Sequence, residues 1–215
     1  MSRDNFKKFK FYTGPTFLVA FLLYVLGAVQ VLANPNDVET IICIRHGEKP
    51  PAGLGQLSPK GLQRSLALPD VLLKKFGTPQ FIFAPDPAQM NEDNGIPHSY
   101  VRPLATIEPT AIRCGLPVNA QIGYKDIDAL ETELTQAKYR SAVIFVAWEH
   151  IYLEKFVRQL VKRLGGDADS VPKWPEKDYD SIYIIRITDG KTVSFSVDQE
   201  GLDNAATSSS PAATR

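Results

Sequence analysis

Between residues 38 and 197, short uninterrupted apolar runs alternate with longer stretches in which apolar side chains recur every three or four positions. The short runs predict strands and the longer stretches predict amphipathic helices. Residues 38–45 (VETIICIR) read as a buried strand, 80–84 (QFIFA) and 118–122 (VNAQI) as two more, and 141–147 (SAVIFVA) as a fully apolar one. Helical spacing marks 57–76, where Ser58 is a good N-cap, Pro59 suits a first turn and Gly77 closes the helix. The same spacing marks 99–114, ending at Gly115 and containing Pro103 and Pro109, then 127–139, and then 151–164, closed by Gly165-Gly166. Near the C-terminus the period drops to two. Residues 181–187 and 192–197 flank Thr188-Asp189-Gly190-Lys191, a hairpin signature. Residues 85–97, with Pro, Asp, Asn and Gly, are expected to form a long loop of the sort that carries function rather than packing.

Strands alternating with helices predict an α/β three-layer sandwich: a mostly parallel sheet, helices on both faces, and an antiparallel hairpin at one edge. The 215 residues, 44% of them hydrophobic, suffice for one such domain without disulfide staples. Cys43 lies inside an apolar strand and Cys114 ends a helix, so both are expected to be free, buried thiols. No Cys-x-x-Cys pair or closely spaced histidine cluster suggests a metal centre, and no cofactor is expected.

The formal charge of zero conceals an asymmetry. Residues 1–33 hold Arg3, Lys7, Lys8 and Lys10 but only Asp4 as an acid, and the remaining 20 bases and 23 acids give the rest a net charge of −3. That balance offers no surface for nucleic acid. In the same first segment a basic stretch precedes an apolar one (residues 17–26) and a small-residue end, Val31-Leu32-Ala33. This order fits a secretory signal peptide cleaved after Ala33, and residues 16–33 are nearly long enough to serve instead as an uncleaved membrane anchor. Either way the domain, residues 34–203, is expected to be exported, periplasmic or secreted. Residues 204–215, rich in Ala, Ser and Thr, read as a disordered tail.

Only three histidines are present, and two follow apolar strands: His46 in Arg45-His46-Gly47-Glu48-Lys49 and His150 in Trp148-Glu149-His150. Ligands of parallel sheets bind at the carboxyl ends of strands, so both imidazoles are expected on one rim. An arginine fork beside an imidazole suits a tetrahedral oxyanion, because the guanidinium pairs two oxygens while the imidazole offers a lone pair or a proton. Gly47 lets the backbone turn sharply there. Glu48 and Lys49 are open to two readings, substrate contact or a surface ion pair, and Trp148 is expected to pack.

Arg45-His46-Gly47 after the first strand, Leu57-Ser58-Pro59-Lys60-Gly61 opening the next helix, Arg102 with Thr106 four residues later, and a second histidine after a later strand resemble the histidine phosphatase superfamily, with its phosphoglycerate mutase-like fold. The resemblance spans about residues 39–165. It implies a metal-independent phosphomonoesterase in which His46 is the nucleophile that becomes phosphohistidine, while Arg45, Arg102 and His150 bind the phosphoryl oxygens. The family's proton donor has no exact counterpart, since Ile151 follows His150. Glu149 is the candidate acid/base residue, with Asp126 and Asp128 as alternatives. The implied substrate is a phosphorylated small molecule or envelope component, with specificity residing in residues 85–98, which include His98, and 166–179. A non-catalytic phosphate-binding domain of the same fold and a phosphotransferase or mutase are the competing functions. The stretch Lys49-Pro50-Pro51-Ala52-Gly53 lacks the Asn usual in mutases.

Overall fold

The computed structural model describes residues 37–203; the expected leader or anchor (1–33) and tail (204–215) lie outside the described residues. Eight strands and four α-helices follow one another in the order read from the pattern, with one addition. Strand β1 (Val38–Arg45) precedes α1 (Pro59–Phe76), β2 (Phe81–Pro85), and the added pair β3 (Met90–Asp93) and β4 (Ile96–Ser99). After these come α2 (Arg102–Cys114), β5 (Val118–Ile122), α3 (Ile127–Leu134), β6 (Val143–Trp148), α4 (His150–Arg163), β7 (Ser181–Thr188) and β8 (Thr192–Gln199).

Six strands form one sheet in the order β5-β2-β6-β1-β7-β8. The first four run parallel, and β7 and β8 are antiparallel to their neighbours, as expected of an edge hairpin. Because side chains of a strand alternate between faces, β1 sends Ile41 and Cys43 into one core and Ile42 and Ile44 into the other. Strand β6 does the same, with Ile144 and Val146 opposed to Phe145 and Ala147. Helices α3 and α4 cover the first face through Leu130, Leu134, Phe156 and Leu160, whereas α1 and α2 cover the second through Leu68, Leu72, Ile107 and Ala111. The result is the three-layer sandwich.

Several boundaries differ from the sequence reading, each for a local reason. The expected loop at 85–97 contains the β3–β4 hairpin, whose turn residues Asn94 and Gly95 both have positive φ (53° and 80°), as a type I′ turn requires. Helix α2 starts three residues late, at Arg102, where Pro103 takes up a first-turn position. Helix α3 stops at Leu134, because the Thr135 hydroxyl donates back to the Glu131 carbonyl; a short 3-10 turn, Ala137–Tyr139, completes the predicted span. Cys43 and Cys114 are both free, but Cys114 is half-buried rather than buried. The sheet separates them, since Cys43 faces the core of α3 and α4 while α2 packs on the opposite side.

The connection from β1 to α1 is held by a close backbone contact. Ser58 caps α1 by accepting from Gly61 N at 3.1 Å, and its own N–H donates to Glu48 O at 2.7 Å. A Cβ on Gly61 would lie 2.3 Å from Glu48 O and 2.8 Å from Glu48 N, both backbone atoms. We therefore expect Gly61→Ala to destabilise the domain by about 1–3 kcal/mol, as overpacking does, read from the urea unfolding midpoint; an unchanged midpoint would refute the contact.

Candidate active site

The register of β1 and β6 builds the site. Arg45 lies opposite Trp148 in the parallel ladder, and His46 N donates to Trp148 O at 3.0 Å, so the residues that leave the two strands next, His46-Gly47 and Glu149-His150, emerge side by side. They open into a pocket of about 310 Å³ lined by Arg45, His46, Arg102, Glu149 and His150 among others. The five residues named from sequence thus share one cavity.

His46 is fully enclosed. Its Nδ1 lies 2.7 Å from the Gly47 carbonyl, a contact that assigns the ring proton to Nδ1 as donor and leaves the Nε2 lone pair free. Burial holds its pKa well below the ordinary imidazole value; Arg102, Arg45 and His150 reinforce the shift, and the bond to Gly47 only partly opposes it. The ring is therefore neutral at physiological pH. Gly47 N donates to Thr106 Oγ1 at 2.9 Å, and that hydroxyl donates to Arg102 O at 2.8 Å, which ties the turn after β1 to the first turn of α2.

Each guanidinium is clamped from behind. Arg45 Nη1 donates to Glu176 O (2.5 Å) and Asp178 O (2.9 Å), and the group lies 3.9 Å above the Tyr179 ring. Arg102 pairs with Asp93 through Nη1–Oδ2 at 2.6 Å and Nη2–Oδ1 at 3.3 Å, and its own N–H donates to Gly55 O at 2.9 Å. Asp93 also accepts from Gly55 N at 2.9 Å. Burial pushes the Asp93 carboxyl up, but Arg102, the Gly55 N–H and Lys49 override it and bring it down to about 2. Among the described residues, Arg45 Nε, Arg102 Nε and the Tyr100 hydroxyl are buried donors without a hydrogen-bond partner.

Glu149 is the N-cap of α4. Its Oε2 accepts from Ile151 N (2.9 Å) and Tyr152 N (3.0 Å), while Oε1 lies 2.6 Å from His150 Nδ1, close enough to pair electrostatically although too poorly directed for a regular hydrogen bond. Burial raises its pKa, but His150 and the two backbone N–H groups outweigh that, so the net shift is downward and the group is a carboxylate.

The other candidates from the sequence lie elsewhere. Asp126 and Asp128 do not line the pocket, and Asp128 accepts from Gln159 at 2.6 Å on the surface. His98 sits on β4 outside the lining. Glu48 and Lys49 are not paired with each other. Glu48 binds the buried Arg64 (3.0 and 3.1 Å) and Lys60 (3.0 Å), whereas Lys49 lines the pocket 3.6 Å from Asp93. Trp148 packs with no exposure and donates from its indole to Tyr124 O at 2.9 Å. Sequence reasoning missed Asp93, Tyr100, Tyr124, Lys125 and Tyr152, all in the lining. The Asn94-Gly95 pair was the available signal for Asp93, because it predicts the hairpin that delivers this carboxylate.

Among the described residues no group of three or more His, Cys, Asp or Glu side chains is arranged to hold a metal ion, and no helix is long and apolar enough to cross a membrane. Neither a family model nor a curated protein matches the sequence. Solved structures do match. The protein histidine phosphatase SixA in complex with tungstate superposes with TM-score 0.53 at 14% identity, covering 75% of this chain and 97% of that one. A chain described as the phosphohistidine phosphatase SixA from Nakamurella multipartitia gives 0.51 at 15% identity over 77% and 98%. A phosphoglycerate mutase from Plasmodium falciparum gives 0.51 at 12% identity over 84% and 98%. The chain shares the phosphoglycerate mutase-like α/β fold of these structures.

Because Asp93 titrates lower in the folded state than in the unfolded chain, it contributes stability that is present above about pH 4 and lost as pH falls toward 2. Melting temperatures measured between about pH 5 and pH 2 should therefore fall less steeply for Asp93→Asn than for the wild type; parallel slopes would contradict the assignment.

Proposed function

We propose that the domain is a phosphatase that hydrolyses a phosphomonoester through a phosphohistidine on His46. The observation that carries this reading is a neutral, buried imidazole with a free Nε2, standing in one pocket with buried guanidinium and phenol donors that have no other partner. In the first step Nε2 attacks phosphorus, the P–O bond to the leaving group breaks and its electron pair departs with oxygen. Water then attacks phosphorus, its proton passing to the departing phosphate, and the P–N bond breaks with its electron pair returning to Nε2, which regenerates His46 as the neutral Nδ1–H imidazole. Arg45, Arg102 and His150 bind the phosphoryl oxygens, and Tyr100 supplies a fourth donor. Burial keeps its phenol pKa well above the ordinary value, against the pull of Arg102, so it remains a neutral O–H donor.

Glu149 enters this scheme as a positioning residue for His150 rather than as a proton donor, since its carboxyl is held ionised, with Oε2 accepting from two backbone N–H groups and Oε1 2.6 Å from His150 Nδ1. Asp93 does the same for Arg102. With both buried carboxyls of the pocket ionised, the chemistry favours leaving groups that depart without a proton. An aryl phosphate supplies such a group as a phenolate; phosphohistidine, the substrate named for the SixA neighbours, would break a P–N bond instead and release a neutral imidazole when its other ring nitrogen already carries a proton. The cationic lining, with Lys49 and Lys125 added to the two arginines, suits an anion and supports turnover without a metal. The reading of residues 1–33 as a leader makes this an enzyme acting on the far side of a membrane, and finding the mature domain in the cytoplasmic fraction would contradict that part.

The purified domain should hydrolyse an aryl phosphate in the presence of chelator, and His46→Ala should abolish this; equal rates would refute the reading. Tyr100→Phe should lower kcat/KM roughly 100–1,000-fold, the effect expected of losing one oxyanion donor, with melting temperature unchanged. Since His46 must protonate to lose nucleophilicity and its pKa is depressed, single-turnover phosphorylation should stay constant through pH 6.5 and fall only at more acidic pH. A titration centred on 6.5 would contradict the buried, neutral ring.

A further inference from the structure

Beside the phosphoryl pocket lies a second cavity, of about 720 Å³, that shares Lys49, Glu149, His150 and Ile151 with it. Its far wall is the segment Lys173-Trp174-Pro175-Glu176. Three features determine what it can hold. The first is apolar surface next to the reacting centre: Ile151 directly follows His150 and is 52% exposed, and across from it stands the exposed Pro175, backed by the buried Trp174.

The second feature is rigidity. Trp174 stacks on Tyr183 with centroids 4.1 Å apart, its amide donates to Glu154 Oε2 at 2.8 Å, and its indole N–H donates to Asp178 O at 3.1 Å. The Glu176 carbonyl is itself the Arg45 clamp. The wall is thus built into the phosphoryl site and formed before any ligand arrives, which lowers the cost of binding. The third feature is charge. Lys49 and Lys173 balance Glu149 and Glu176 in its lining, so the groove carries no excess of either sign, whereas the phosphoryl pocket sets Arg45, Lys49, Arg102 and Lys125 against Glu92, Asp93 and Glu149. A leaving group with a second phosphate or carboxylate finds no additional counter-charge there, whereas an uncharged one with apolar surface does not need it. The volume is in the range of small-molecule sites.

We propose that this groove is the leaving-group subsite, and that it selects phosphomonoesters of uncharged phenols over those of small hydrophilic alcohols. The inference rests on the phosphatase reading above. The ionised state of both buried carboxyls agrees with it, because a phenolate departs without protonation. The test compares kcat/KM for 1-naphthyl phosphate with that for O-phosphoserine in the wild type, Ile151→Ser and Ile151→Leu. Expressing each enzyme as the ratio of the two substrates removes their difference in intrinsic reactivity. Ile151→Ser should lower the ratio roughly tenfold, the scale of losing hydrophobic contact in a specificity pocket, and Ile151→Leu should restore it. If both substrates are hydrolysed and the ratio is the same in all three enzymes, the subsite is refuted while the phosphatase reading stands. If the wild type hydrolyses neither substrate and forms no phosphoenzyme, the phosphatase reading fails and the subsite with it.

Discussion

Arg45 and Trp148 occupy opposite positions in a parallel strand pair, and the chain beyond each has nowhere to go but the same rim of the sheet. That single register brings together two imidazoles that are about a hundred residues apart. A slip of one residue would turn Ile42 and Ile44 out of one core and Ile41 and Cys43 out of the other. The site is therefore fixed by the packing of two hydrophobic layers, and the buried histidine gets its depressed pKa from the same packing that fixes its place.

Around this rim, carboxylates act mainly as supports. Asp93 orients Arg102, Glu149 orients His150, and Glu48 anchors the turn after His46 to Arg64, which also binds Glu200 at 2.6 Å and Asp180 at 3.2 Å. Such buried pairs contribute little net stability against their desolvation, but breaking one leaves an uncompensated charge. Their value here is geometric. Asp93 and Glu149 hold Arg102 and His150 in place in the pocket lining, the kind of preorganisation that electrostatic stabilisation of a phosphoryl group requires. Backbone carbonyls of residues 176 and 178 do the same for Arg45 without adding charge.

The sandwich, its edge hairpin and the convergence of Arg45, His46, Glu149 and His150 were legible because each rests on a short-range or periodic signal: apolar alternation, an Asp-Gly turn, residues at strand ends; Arg102, at the start of a helix, was named only through the family resemblance. Asp93, Tyr100, Tyr124 and Lys125 were not, because their roles depend on where a loop folds back in three dimensions. The Asn94-Gly95 turn would have exposed the β3–β4 hairpin, yet nothing local says that its Asp93 meets a guanidinium nine residues later. Glu149 was legible as a site residue but not as the cap of a helix. Its position beside His150 suggested proton transfer, whereas helix capping and the imidazole contact, both invisible in a strand-end motif, hold it ionised.

The most direct test of this account is a crystal structure of the domain with vanadate or tungstate. It predicts the oxyanion within bonding reach of His46 Nε2, with its oxygens contacted by Arg45, Arg102, His150 and the Tyr100 hydroxyl. An oxyanion bound elsewhere, or bound here with His46 Nε2 turned away from it, would contradict the account.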